Sequence, residues 1–217
     1  MRSIVIVGAG GFGKEVQWLI ERINNVTRKE NRWNILGYID DNIEVGTEIN
    51  GYKVLGGIEY LMSTTEPIAI SCAIGSSKIR KEVVNKLSTQ SNIYFPNLID
   101  PSVIHSQFVQ IGRGNIFCAN SIITTNIKVA DFCIVNLSCT IGHDVSLDSF
   151  VTIYPNVNVS GKVYIGKYSE IGTGTQIIQG KNIGEEAIVG AGSVVIKDIP
   201  NKCTAVGSPC KPIKFHV

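Results

Sequence analysis

The sequence is most regular between residues 141 and 195, which read IGHDVSLDSFVTIYPNVNVSGKVYIGKYSEIGTGTQIIQGKNIGEEAIVGAGSVV. An apolar residue recurs here at every sixth position, and the same phase extends back to residue 111. With 44% apolar residues in the chain, chance would give an unbroken run of this length with a probability on the order of 10⁻⁶ to 10⁻⁵. The positions are Ile111, Phe117, Ile123, Val129, Val135, Ile141, Leu147, Ile153, Val159, Ile165, Ile171, Ile177, Ile183, Val189 and Val195.

A six-residue period matches neither an α-helix nor an alternating strand. It predicts a short strand followed by a corner, repeated as the faces of a coil, with the apolar side chain stacked inside. Glycine often follows the apolar residue, and a small residue often stands four places after it, as at Ser121 and Cys139. We therefore expect the columns of Ile and Val, coil upon coil, to provide most of the stability.

The first ~95 residues alternate strand and helix patterns instead. Ile4–Val7, 35–39 and 68–74 are expected to be buried strands. Apolar residues spaced as in one helical face follow the glycine-rich loop, and 78–87 show a second such pattern. The prediction is an α/β domain over 1–95 and a coil domain over 96–217.

Composition narrows the class of protein. The net charge is +2, and the 20 Lys and Arg are scattered, so no basic surface for nucleic acid is expected. No signal-peptide pattern and no membrane-length apolar run is visible, which predicts a cytoplasmic protein without membrane insertion. The six cysteines show no CxxC pairing, so buried reduced thiols are expected rather than disulfides or a metal site.

The repeat is the hexapeptide repeat, and the chain resembles the left-handed β-helix acyltransferases along essentially its whole length. The α/β front end is similar to that of the sugar acetyltransferases of the sialic-acid O-acetyltransferase and bacillosamine/perosamine N-acetyltransferase type. The matching motifs are Gly8-Ala9-Gly10-Gly11-Phe12-Gly13, Tyr38-Ile39-Asp40-Asp41, Ala73-Ile74-Gly75-Ser76-Ser77, Asn136, Ile141-Gly142-His143-Asp144, Gly161-Lys162-Val163, and Val189-Gly190-Ala191-Gly192-Ser193-Val194-Val195. The resemblance implies a half-Rossmann domain before a left-handed parallel β-helix, acetyl-CoA as co-substrate, no metal, a nucleotide-sugar substrate and a homotrimer.

The glycine loop has two interpretations. Gly8, Gly10 and Gly13 fit the dinucleotide fingerprint, but about 95 residues supply only one mononucleotide half, which favours a single nucleotide or nucleotide-sugar. The resemblance assigns substrate contacts to a set of six residues. Alternatively, the glycines only make a tight turn and the aspartates cap a loop. The six are Gly10, Gly11, Phe12, Asp40, Asp41 and Ser77.

His143 is the candidate general base, because an imidazole can accept a proton at neutral pH when an amine or hydroxyl attacks a thioester. The resemblance implies that Asp144 tunes the ring. Asn136, or its carbonyl, is expected to orient the other ring nitrogen. Gly161, 18 residues on and one coil away, is expected to donate its N–H to the oxyanion. The alternative is a corner histidine bonded only to a neighbouring loop.

The residues implied near acetyl-CoA are Thr152, Thr173 and Ala191. Many relatives carry a second histidine where Thr152 stands, so that imidazole contribution is absent here. His105 and His216 are expected to be structural.

These residues predict transfer of acetyl to the amino group of a UDP- or dTDP-linked 4-amino-4,6-dideoxy sugar, for surface glycan biosynthesis. Two alternatives stay open at this point: O-acetylation of sialic acid or a related sugar, and a non-catalytic scaffold that binds sugar nucleotides.

Overall fold

The computed structural model of the protein describes residues 2–216. The chain divides into two compact units, Met1–Pro101 and Ser102–Val217. The first unit thus ends six residues later than the expected limit at residue 95. The extra residues include Asp100, whose buried carboxylate accepts two hydrogen bonds from Arg22, at 2.6 and 3.0 Å.

The elements of the first unit are β1 (Arg2–Val7), α1 (Gly11–Val26), a 3₁₀-helix (Lys29–Asn31), β2 (Trp33–Ile39), β3 (Glu48–Ile49), β4 (Tyr52–Gly56), α2 (Ile58–Met62), β5 (Ile68–Cys72), α3 (Ser77–Leu87), β6 (Ile93–Tyr94) and β7 (Leu98–Ile99). Six of its strands form a sheet in the order β3-β4-β2-β1-β5-β6. All neighbours are parallel except β3 and β4, which form a hairpin.

The central strands β1 and β5 are almost completely buried, which explains their continuous apolar composition. The helix α1 buries Val16, Leu19 and Ile20, the stripe expected from their spacing. The predicted strand at 68–74 ends at Cys72, so that Ala73–Ser76 form the loop leading into α3.

The second unit is a parallel β-helix with three faces. Face 1 contains β10 (Ile116–Phe117), β13 (Ile134–Val135), β16 (Thr152–Ile153), β19 (Glu170–Ile171), β22 (Ile188–Val189) and β24 (Cys203–Val206). Face 2 contains β8 (Ile104–His105), β11 (Ile122–Ile123), β14 (Thr140–Ile141), β17 (Asn158–Val159), β20 (Gln176–Ile177) and β23 (Val194–Val195). Face 3 contains β9 (Gln110–Ile111), β12 (Lys128–Val129), β15 (Ser146–Leu147), β18 (Tyr164–Ile165) and β21 (Asn182–Ile183). A last strand, β25 (Lys211–Phe215), pairs antiparallel with β24.

The register between coils is constant at 18 residues, as in the pairs Ile141↔Val159 and Ile153↔Ile171. The inward column contains the predicted repeat positions, and all of them are buried except Ile111, which is half-buried. His105 continues this column in register with Ile123, but its side chain is exposed. His216 contacts the Thr204 hydroxyl through Nε2, at 3.0 Å.

From Gly114 to Gly192, each corner of the coil contains a residue with positive φ, three places after the inward apolar residue. We name the corners by the faces that they join: corner 1/2, corner 2/3 and corner 3/1. The N–H of this residue donates to a carbonyl of the preceding coil, for example Lys162 to His143, at 2.8 Å. The residue type alternates among glycine, asparagine, aspartate and larger side chains held in the left-handed region, such as Phe132 with φ 58° and Phe150 with φ 63°.

All six cysteines are buried and free of disulfide bonds. Burial raises the pKa of the Cys72 thiol to about 12 and that of Cys139 to about 11, so both are held as neutral thiols. Across residues 2–216, every helix is too short or too polar to span a lipid bilayer.

Candidate active site

His143 and Asp144 lie at corner 2/3, in the turn between β14 and β15. Asp144 has φ 60°, a conformation that aspartate tolerates better than most residues. Its N–H donates to the Thr125 carbonyl of the preceding coil, at 3.1 Å, while the His143 carbonyl accepts from Lys162 of the next coil. Neighbouring coils therefore fix the backbone of the turn, and both side chains remain about half exposed, at 49% and 43%.

The two side chains form a hydrogen-bonded pair, with His143 Nδ1 2.9 Å from Asp144 Oδ2. A carboxylate can only accept, so Nδ1 carries the proton and the lone pair of the neutral ring is on Nε2. The pKa of Asp144 lies below its usual range, chiefly because the His143 ring donates to the carboxylate. A hydrogen bond from Asn126 and the positive charge of Lys162 act in the same direction.

Gly161 lies directly against the imidazole ring. A Cβ added at this position would come within 2.4 Å of both Cε1 and Nε2 of His143, so only glycine leaves room for the ring as placed. Within residues 2–216 the Gly161 N–H has no hydrogen-bond partner, whereas its carbonyl accepts from Gly180 at 3.0 Å. A glycine N–H left without a partner beside a base is available to an acyl oxygen.

The expected contact between Asn136 and His143 does not form within one chain. Asn136 follows β13 and lies at corner 1/2, so face 2 separates it from His143. Its Oδ1 accepts from the N–H of Leu137 at 2.7 Å, and its carbonyl accepts from the Ser121 hydroxyl at 2.8 Å. Asn136 therefore lies away from His143 of the same chain, and its role in orienting the second ring nitrogen stays a prediction.

The residues expected near acetyl-CoA also cluster at corner 1/2 and on the face before it. Thr173 and Ala191 are exposed there, one coil apart. Of the four glycines around them, the one that follows each residue has nothing within 4 Å of an added Cβ, whereas the one that precedes it packs against the next coil. Thr152 belongs to β16 and is 1% exposed. One chain thus presents these residues at one corner and His143 at another. The four glycines are Gly172, Gly174, Gly190 and Gly192.

In the first unit, the glycines of the loop after β1 divide into two kinds. Gly8 has φ 101°, and a Cβ there would lie 2.8 Å from the Ala73 carbonyl oxygen, while one on Gly13 would lie 2.0 Å from the Gly8 oxygen. These two glycines serve the tight strand-to-helix turn. Gly10 and Gly11 have nothing within 4 Å of an added Cβ, so their backbone is open to a ligand.

The helix α1 begins at Gly11 without a side-chain cap or an acidic residue in its first turn. Its first N–H groups and the positive end of the helix dipole therefore suit an anion such as a phosphate. Phe12, in this first turn, is half-buried.

A cleft of about 260 Å³ lies beside this loop, at the carboxyl ends of the parallel strands. Ligands of open α/β sheets bind at this edge. Asp40 and Asp41 line the cleft on one side. The apolar residues Ile58, Ile74, Ile79 and Val83 line it as well. Ile79 is 53% exposed, although it lies within a segment with a helical apolar pattern.

Both aspartates already accept backbone hydrogen bonds. Asp40 accepts from the N–H groups of Ala9 and Asn42, at 2.9 and 3.0 Å, and Asp41 accepts from Ile58, at 2.9 Å. These contacts are those expected of aspartates that cap a loop. Both residues nevertheless line the cleft.

Ser77, the first residue of α3, is only 1% exposed, and it is not among the residues that line the cleft. Its side chain is therefore shielded from solvent, and a direct substrate contact stays a prediction. No sequence motif indicated Arg80, which is buried and donates to the carbonyls of Ile74 and Gly75, at 2.6 and 2.9 Å.

No group of three or more His, Cys, Asp and Glu side chains among residues 2–216 is placed to hold a metal ion.

Comparisons with known proteins agree with this arrangement. The family profile described as the PglD N-terminal domain matches residues 3–87. The GDP-perosamine N-acetyltransferase of Escherichia coli O157:H7 is 29% identical over 219 residues, which cover 96% of this chain and 95% of that protein.

Two solved structures are similar over nearly the full length. The acetyltransferase domain of PglB from Neisseria gonorrhoeae FA1090 is 32% identical, with a TM-score of 0.90 and coverage of 98% of this chain and 100% of that one. A second structure of that domain contains acetyl coenzyme A. PerB from Caulobacter crescentus, in complex with CoA and GDP-perosamine, is 26% identical, with a TM-score of 0.87 and coverage of 99% and 98%.

A three-faced coil of hexapeptides with a His-Asp pair at one corner defines a hexapeptide-repeat acyltransferase, and the similar structures confirm the left-handed β-helix. More particularly, the chain belongs to the family of sugar N-acetyltransferases represented by PglB and the perosamine N-acetyltransferases.

Proposed function

We propose that the protein transfers the acetyl group of acetyl-CoA to the amino group of a nucleotide-linked 4-amino-4,6-dideoxy sugar. The observation that carries the proposal is the His143–Asp144 pair packed on Gly161, because it combines a proton acceptor and a free backbone donor at one corner. The relatives solved with acetyl-CoA, or with CoA and an amino-sugar nucleotide, support the choice of both substrates.

His143 is the general base of the proposed reaction. The sugar amine attacks the thioester carbonyl carbon, and the nitrogen of the tetrahedral intermediate loses a proton to His143 Nε2. Asp144 keeps Nδ1 protonated and stabilises the imidazolium that forms. The C–S bond then breaks, and the imidazolium returns the proton to the departing CoA thiolate, which leaves a neutral base.

Gly161 is the proposed oxyanion donor. The carbonyl oxygen gains negative charge as the amine adds, and a backbone N–H that is already in place stabilises that charge without reorganisation. The partner-free N–H of Gly161, beside the ring that removes the proton, supports this assignment.

We propose that the active protein is a homotrimer. Acetyl-CoA would lie along corner 1/2, where Thr173 and Ala191 expose backbone groups between glycines, with Thr152 on the face before it. His143 occupies a different corner of the same chain. A neighbouring copy that places its corner 2/3 against this corner 1/2 would complete the site.

The first unit is the proposed holder of the nucleotide. Its uncapped α1 N-terminus, with Gly10 and Gly11 open, suits the diphosphate, and the cleft lined by Asp40 and Ile79 suits the nucleoside. UDP or dTDP is the carrier expected from the sequence, while the relatives named for GDP-perosamine add GDP as a third carrier to test.

Release of CoA thiol from acetyl-CoA provides the test. The wild-type enzyme would be given UDP-, dTDP- and GDP-linked 4-amino-4,6-dideoxy sugars and, separately, free sialic acid, and each product analysed by mass spectrometry. We expect an N-acetylated product with at least one sugar nucleotide and none with sialic acid. Turnover of sialic acid alone would replace amine transfer by O-acetylation, and thiol release with none of these acceptors would contradict the proposal.

A further inference from the structure

A cleft on face 3 of the β-helix has no part in the mechanism above. Its volume is about 490 Å³, and outward side chains of consecutive coils line it. Strand pairing places Ser146 directly between Lys128 of the coil before and Tyr164 of the coil after. A short side chain between two long ones leaves a gap in the column, which we call the Ser146 notch.

The Ser146 notch begins where the turn of the proposed base ends. Ser146 is the first residue of β15, and His143 precedes it by three residues. Three residues of chain span at most about 11 Å, so the Cα atoms of His143 and Ser146 lie no farther apart than this. Coils repeat at the strand spacing of about 4.8 Å, so the backbones of Lys128 and Tyr164 are about 10 Å apart, a separation that suits one six-membered sugar ring.

The polar groups of the notch are of two kinds, fixed and unoccupied. Tyr164 donates its hydroxyl to Asp148 Oδ2 at 3.3 Å, and Asp148 Oδ1 accepts from the N–H of Ser149 at 2.7 Å. These bonds hold one wall of the notch in place. The side chains of Lys128 and Ser146, by contrast, make no hydrogen bond or ion pair with any residue from 2 to 216. An ammonium group and a hydroxyl are therefore available to a ligand.

We propose that the Ser146 notch is the subsite for the amino-sugar ring of the acceptor. Lys128 and Ser146 bind the ring hydroxyl groups, and Tyr164 packs against the ring. The amino group then points towards Nε2 of His143. The inference rests on the proposed function, because it takes His143 as the base. An aromatic wall and a few convergent polar groups in a cleft of this size are typical of small-molecule sites.

The charges in the cleft favour a neutral sugar ring over the phosphates of the same substrate. Its lining includes one cation, Lys128, and one anion, Asp148. These two charges offset each other, so the cleft offers no net attraction to a diphosphate. Sugar hydroxyl groups, however, can donate to the carboxylate and accept from the ammonium group. The ring is therefore the part of the substrate that fits face 3.

Binding measurements without turnover test the subsite. Isothermal titration calorimetry would compare UDP-, dTDP- and GDP-linked 4-amino-4,6-dideoxy sugars with the bare diphosphates UDP, dTDP and GDP. For a sugar nucleotide that binds the wild type, we expect Lys128→Ala to raise Kd about tenfold, because a charged hydrogen bond is lost. The Kd of the bare diphosphate should not change. Lys53→Ala is the matched control, since Lys53 is an exposed lysine on β4 of the first unit, and it should change neither Kd.

Substitution of Ser146 tests the shape of the notch. Ser146→Leu fills its floor, so kcat/KM for the sugar nucleotide should fall by about tenfold or more, while the KM for acetyl-CoA stays within about twofold. Ser146→Ala removes a single hydroxyl, and we expect kcat/KM to fall only about threefold. Because alanine merely shortens a small side chain, this variant keeps the test valid if leucine disturbs the coil.

Equal weakening of the sugar nucleotide and the bare diphosphate in Lys128→Ala, or unchanged binding of both, would overturn the subsite. An unchanged kcat/KM in Ser146→Leu would overturn it as well. A wild-type protein that binds none of the three sugar nucleotides, or transfers no acetyl group to them, would overturn the proposed function instead.

Discussion

At the scale of single residues, the imidazole of His143 is the group whose removal separates chemistry from binding. We expect His143→Ala to lower kcat by about 10²–10⁴-fold with little change in the KM for the sugar nucleotide, because the base acts only as the proton leaves. His105→Ala is the control, since His105 is exposed and its Nδ1 contacts the carbonyl of the adjacent Ser106. A His143→Ala enzyme that keeps more than about a third of kcat in single turnover would remove this residue from the mechanism.

The carboxylate of Asp144 is expected to support the same reaction by stabilising the imidazolium that forms as the proton leaves. Asp144→Asn removes that negative charge but leaves the base in place, so we expect kcat to fall by less than in His143→Ala. Steady-state rates of the two variants would show this order, and a loss in Asp144→Asn as large as that in His143→Ala would contradict the assignment.

Gly161 should tolerate no side chain while the ring is present. Gly161→Ala places a methyl group 2.4 Å from His143 Nε2, so the ring must turn away, and we expect kcat to fall at least tenfold. In the His143→Ala background the same change should cost almost nothing, because the obstructed ring is gone. Equal losses in both backgrounds would show that the alanine acts on the coil rather than on the ring.

Residue types predicted some of these contacts and not others. His143, Asp144 and Gly161 are adjacent in sequence or 18 residues apart, and a constant register converts such spacings into contacts. Asn136 could not be placed in the same way. Asn136 precedes His143 by seven residues, which places the two at different corners of the same coil. The 18-residue register relates residues of the same corner only.

At the scale of elements, the loop between β1 and α1 contains two kinds of glycine that mutation should separate. Gly13→Ala places its Cβ 2.0 Å from the Gly8 carbonyl, so we expect a loss of about 1–3 kcal/mol in the free energy of unfolding. Gly11→Ala meets no atom and should fold normally, yet its methyl group would obstruct a bound diphosphate.

The KM for the sugar nucleotide should therefore rise about tenfold in Gly11→Ala, equivalent to about 1.4 kcal/mol. Urea denaturation and steady-state kinetics would measure the two effects. An unchanged KM in a normally folded Gly11→Ala protein would place the nucleotide elsewhere.

The long repetitive elements were predictable from sequence, while the short irregular ones were not. The apolar column with a six-residue period and the apolar face of α1 both follow from periodicity, and both are buried in the structure. The hairpin of β3 and β4, the five-residue α2 and the exposed β25 carry no such pattern. Two to five residues are too few to show a period, and β3 and β25 depend on the sheet edges with which they pair.

At the scale of the whole molecule, the proposed trimer accounts for the two separate corners, with His143 at corner 2/3 and the residues expected near acetyl-CoA at corner 1/2. The variant His143→Ala lacks the base, and the variant Ala191→Trp obstructs corner 1/2. Each should be inactive by itself. If neighbouring copies share each site, refolding the two variants together should restore about a quarter to a third of wild-type activity, because some sites would combine one intact corner from each variant. Activity that never exceeds the sum of the separate variants, or a fully active monomer in sedimentation, would contradict the trimer.

The constant register of the coils also restricts how this chain can change its length. Removing one hexapeptide between His143 and Gly161 would move every later residue to the neighbouring face, so that Gly161 would no longer lie beside His143. Removing 18 residues on the C-terminal side of Gly161 would leave each column in place and shorten the β-helix by one coil. Length variation in such a protein should therefore occur in whole coils or in loops that bulge from a corner. The contact between His143 and Gly161 is kept only when the number of residues between them keeps the 18-residue register.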